Sequence, residues 1–76
     1  MAEGRDYTVT LIPQAEGGYT VRVPALPEVV TEGETREEAL AMAREAIELV
    51  LECYRDEGRE APENVRPVVE DLHVAA

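Results

Sequence analysis

Apolar and polar residues alternate over residues 7–12, where Tyr7, Val9 and Leu11 interleave with Thr8 and Thr10. A period of two with this β-branched content predicts a half-buried strand. The alternation returns in Tyr19, Val21 and Val23 against Thr20 and Arg22. Between the two runs lies PQAEGG at 13–18, and its Gly17-Gly18 pair supplies the positive φ that a hairpin connection needs. A hairpin is therefore predicted. Pro24 and Pro27 bracket the PALP segment as a turn or edge segment that cannot donate to a ladder, and Val29, Val30 and Thr31 predict a short third strand before Gly33.

The period then becomes helical. Thr35 precedes Glu38 by three positions, the spacing of a capping box, and the acidic Glu37 and Glu38 fall in the first turn, where the helix dipole favours them. Nothing breaks the pattern before Gly58, a natural C-cap, so a helix of about 33 Å is predicted over 36–57. Residues 58–67 are polar and carry Pro62 and Pro67, and a last short strand is predicted within 68–74. The order β-β-β-α-β gives an α+β domain with a three-stranded antiparallel meander. A right-handed crossover through the helix then sets the final strand parallel to the first and beside it, with the helix on one face. This is half of a ribonuclease-H-like sheet. The whole chain, 1–76, reads as one domain with no C-terminal DNA-binding module.

The helix carries more apolar surface than one small sheet requires. Leu40, Ala43, Ile47, Val50, Leu51 and Tyr54 form a main stripe, and Met42, Ala46, Leu49 and Cys53 form a second one beside it. Together they cover about half the circumference, against the ~100° of an ordinary surface helix. Six-residue strands reach only ~20 Å, so the helix is also long for its sheet. The second stripe, with Cys53 and Tyr54 at its C-terminal end, is therefore expected to pack on another copy in a dimer or tetramer. The competing arrangement folds residues 65–74 back over that stripe. A 76-residue chain buries only about 60% of its unfolded surface, which favours self-association.

Composition narrows the function classes. Seven basic residues, all arginine, face 17 acidic ones, for a net charge of −10. Such a chain repels a phosphate backbone and attracts a basic protein, so direct nucleic-acid binding is not expected. One cysteine excludes an internal disulfide, and no apolar run suits a signal peptide or membrane span, so the expected compartment is the cytoplasm.

Reactive groups are few. With one histidine, one cysteine and no serine, the chain has neither a zinc ligand set nor a Ser-His-acid triad. Alternation in the last strand places His73 outward, and Cys53 reads as a packing residue. Gly17-Gly18 joins two strands and has no following helix or Lys-Ser/Thr, so it is not a phosphate loop. A two-metal nuclease needs carboxylates converging from the sheet, yet 7–12 and 19–23 contain none. No catalytic residue, metal or cofactor is expected, and the chain reads as a binding protein.

The stretch GGYTVRVPALP followed by TEGETREEALAMAREAIEL resembles the HicB-like antitoxins, also called UPF0150 proteins. The matching residues are Gly17, Gly18 and Tyr19 in the hairpin, Pro24, Leu26 and Pro27 in the turn, and Gly33, Thr35 and Glu38 at the helix start; all read as structural. The resemblance implies inhibition of a HicA-type toxin, a small basic ribonuclease that cleaves messenger RNA. It departs from the family where Glu28-Val29 replaces the usual Gly-Cys after Leu-Pro. The alternative is a free-standing oligomeric domain with no toxin.

Overall fold

The computed structural model describes residues 4–76 and contains β1 (Thr10–Pro13), β2 (Tyr19–Arg22), β3 (Val30–Gly33) and α1 (Arg36–Asp56). The strands form one antiparallel sheet in the order β1-β2-β3, with Leu11 opposite Val21 and Val21 opposite Thr31. The α+β class and the meander thus match the residue pattern. Strand β1 starts later than the alternation predicts, because its partner ends at Arg22, opposite Thr10. Tyr7 and Val9 continue the alternation without a ladder partner and pack against the core.

The helix lies across β2 and β3. Thr35 caps it from an extended conformation, its Oγ1 accepting the Glu38 N–H at 3.0 Å. The Glu38 carboxylate reaches back to accept the Glu34 N–H at 2.7 Å, one residue before the cap itself. At the other end the Gly58 N–H donates to the Arg55 carbonyl at 3.0 Å and the Arg59 N–H to that of Tyr54 at 2.8 Å. These two bonds make a Schellman ending, which needs Gly58 at its positive φ of 70°.

The core has two parts. Val21, Ala39 and Ala43 meet where the sheet touches the first helical turns. Val23, Leu26 and Val29 form the second, covered by Ala46, Ile47, Val50 and Tyr54. Two successive turns, Leu26 N–H to the Val23 carbonyl and Val29 N–H to the Leu26 carbonyl, both 2.9 Å, aim every third residue inward. Pro24 and Pro27 stand second in those turns, where a fixed φ is compatible and no N–H is required. Gly33 has a different reason for lacking a side chain: a Cβ there would lie 2.5 Å from the backbone nitrogen of Ala39.

The expected fourth strand is a correction. Residues 59–76 carry no regular structure. Tyr7 donates its hydroxyl to the Pro62 carbonyl at 2.5 Å, and Asn64 exchanges two hydrogen bonds with Thr8, at 2.8 and 2.9 Å. The chain is thus brought to the outer edge of residues 7–8, where a strand beside β1 would begin, and then departs. An alternating pattern makes a strand only when a ladder receives it, and 65–76 lie against nothing. Accordingly the radius of gyration is 14.7 Å, where a compact chain of this length has about 11 Å. Among the described residues the sheet therefore has three strands, and the ribonuclease-H-like half-sheet expected from the element order is not formed.

Candidate interaction surfaces

Three surfaces stand out. The first is the outer face of α1, where Met42 is 40% exposed and Leu49 64% exposed, with Cys53 beyond them as an exposed free thiol. Two residues grouped with these from sequence lie elsewhere. Ala46 and Tyr54 are half-buried over the Val23–Leu26–Val29 cluster, and the Tyr54 hydroxyl donates to Glu28 Oε2 at 3.2 Å. Residues 65–74 do not cover this face, since they are themselves exposed.

The second surface is a groove of about 930 Å³ between the helix and the segment leading into β1. Its apolar wall comes from Val9, Leu40, Ala43, Ile47 and Leu51, and four of the chain's seven arginines, Arg5, Arg44, Arg55 and Arg59, line it. Asp6 and Glu48 also line it and Glu57 pairs with Arg59, so the groove carries a small excess of positive charge in a strongly acidic chain. Arg59 lies 4.2 Å over the Tyr54 ring, and its hydrogen bond to Glu57, reinforced by Tyr54, raises its pKa above the ordinary value. Sequence reasoning assigned Leu40, Ile47 and Leu51 to sheet coverage. They border a groove because the strand that would lie beside β1 is missing, and no local signal announces that.

The third surface is acidic. Glu16, Glu32, Glu34 and Glu38 surround the hairpin turn and the helix start, and no basic residue lines this shallow depression. Three of the motif residues set its shape: Gly17 and Gly18 take φ of 102° and 82°, and a Cβ on Gly18 would come within 2.8 Å of the Gly33 carbonyl oxygen.

Among the described residues no three His, Cys, Asp or Glu side chains converge to hold a metal, and no helix is long and apolar enough to cross a membrane. His73 is exposed. What the fold presents is a small α+β domain marked by apolar and charged surfaces. The chain belongs to the HicB-like antitoxin family: the family model described as the HicB-like antitoxin of bacterial toxin–antitoxin systems matches residues 7–73. Antitoxin HicB 1 of Photorhabdus laumondii is 48% identical over 56 residues, which are 74% of this chain and 36% of that protein. Antitoxin HicB of Escherichia coli K12 is 39% identical over 74% of this chain and 41% of its own length. A UPF0150 protein of Thermoplasma acidophilum is 39% identical over 74% of this chain and 81% of that protein. The matched stretch thus spans only 36% and 41% of these two HicB antitoxins.

Proposed function

We propose that this protein is an antitoxin-type binding protein that inhibits or sequesters a small basic messenger-RNA ribonuclease of the HicA type by protein–protein contact, without catalysis of its own. The observation that carries this reading is membership of the HicB-like antitoxin family over residues 7–73. The charge of −10 supports it, because long-range attraction speeds encounter with a basic partner and disfavours nucleic acid. Inhibition by contact requires no reacting group here. Carboxylates such as those of Glu16, Glu32, Glu34 and Glu38 can occupy the cations that a ribonuclease uses for RNA phosphates. In this reading the protein acts in the cytoplasm, binds neither nucleic acid nor membrane, and stacks on further copies through Met42, Leu49 and Cys53, with Ala46 and Tyr54 at the margin.

The test is co-expression with the product of the adjacent reading frame. That frame should encode a short basic protein that arrests growth alone. Its co-expression with this chain should restore growth, yield a co-purifying complex and suppress RNA cleavage, with association weakening as salt rises. Absence of such a frame, or cleavage that continues with the chain in excess, defeats the reading. The free-standing alternative is favoured by one observation: the match makes up 81% of the UPF0150 relative, so the domain also occurs with little attached.

A further inference from the structure

Residues 65–74 leave the body of the protein with their apolar side chains uncovered: Val68 is 83% exposed, Val69 85%, Leu72 86% and Val74 75%. Pro62 and Pro67 favour an extended backbone in this segment. In an extended chain Val68, Glu70, Leu72 and Val74 share one face. That face is apolar with a single carboxylate.

The arginine-lined groove is its complement. The wall formed by Val9, Ile47 and Leu51 is apolar, Arg44 and Arg55 stand at hand for the carboxylate, and the segment lining it leads into β1, an edge strand of the sheet among the described residues. We propose that residues 65–74 of one copy lie in this groove of a second copy, adding a fourth strand along the free edge of β1, and that the exchange is reciprocal. Strand addition at an open edge supplies main-chain hydrogen bonds, and a two-fold axis gives each groove one occupant.

Docking within one chain is disfavoured at its first rung. Asn64 already satisfies the Thr8 N–H with its side chain, and past that point the chain runs away from the edge. Charge selects the occupant too: Arg44 and Arg55 of the groove attract Glu70, which the acidic exterior repels. This interface is separate from the outer face of α1 and does not depend on the toxin reading.

Sedimentation of the full chain at micromolar concentration tests the exchange. The unaltered protein should be at least dimeric. Made in a Met42→Ser/Leu49→Ser background, which removes the outer helix face, Val68→Ser/Leu72→Ser should dissociate at least tenfold more readily and become monomeric, with its helical circular dichroism retained because neither side chain enters the core. Met42→Ser/Leu49→Ser, on the outer helix face, should keep the dimer. A second measurement locates the segment: with Cys53→Ala throughout, chains carrying Leu51→Cys and chains carrying Leu72→Cys, refolded together, should form a mixed disulfide dimer absent from either alone. A monomeric unaltered protein, a dimer that survives Val68→Ser/Leu72→Ser in the Met42→Ser/Leu49→Ser background, or no mixed disulfide would each overturn the proposal.

Discussion

Replacing Leu26 with alanine removes the side chain on which the PALP turn and the second half of the helix converge. Leu26 is fully buried, between Val23 and Val29 and beneath Ala46, Ile47, Val50 and Tyr54. Loss of its three outer carbons costs roughly 2.4 kcal/mol in transfer free energy at ~0.8 kcal/mol per carbon. The cavity adds to this, because the two turn hydrogen bonds at 2.9 Å hold the backbone on either side of the gap. A total of about 3–4 kcal/mol sits within the usual range for buried leucines. A domain of this size has roughly 4–11 kcal/mol in hand, so the variant loses a large part of its stability. Each kcal/mol moves Tm by about 4–8 °C in so small a domain, which places the expected fall at roughly 12 °C or more. Thermal and urea unfolding followed by circular dichroism measure it, at matched protein concentration so that any assembly contributes equally. Val30→Ala, at a site 56% exposed, should by contrast change stability by no more than about 1 kcal/mol. A Leu26→Ala protein that melts within a few degrees of the parent would refute the placement of Leu26 as the plug of the second core.

Gly33→Ala should destabilise by about 3 kcal/mol, since the new methyl meets helix backbone at Ala39 rather than a side chain that could move; an unchanged urea midpoint would contradict that close approach. Thr35→Ala should cost about 1 kcal/mol in urea unfolding, and Thr35→Asp should restore most of it, because either oxygen can accept the Glu38 N–H. Gly58→Ala should cost about 1 kcal/mol from its left-handed φ alone, with nothing near enough to clash, so Gly58→Asn should cost less; equal losses would argue against a conformational cause.

The residue pattern by itself determined the hairpin, the break at the PALP segment and the helix. These depend on near neighbours: a glycine pair at positive φ, prolines at turn positions, a threonine three residues before a glutamate, a glycine after the last turn. It also identified surplus apolar surface on the helix, but not which of those side chains pack inward, because that depends on where the sheet ends. Ala46, Ile47 and Tyr54 pack on the inner cluster, while Leu40 and Leu51 border an open groove that Ile47 and Tyr54 also line. Only the tertiary structure decided this, and the fate of the fourth strand is the reason. Residues 68–74 have a strand's composition, but a strand is completed by hydrogen bonds to a partner distant in the chain, and the side chain of Asn64 takes the first of those positions on Thr8. Whether an alternating segment joins a sheet is settled by the edge that receives it, which local pattern does not encode.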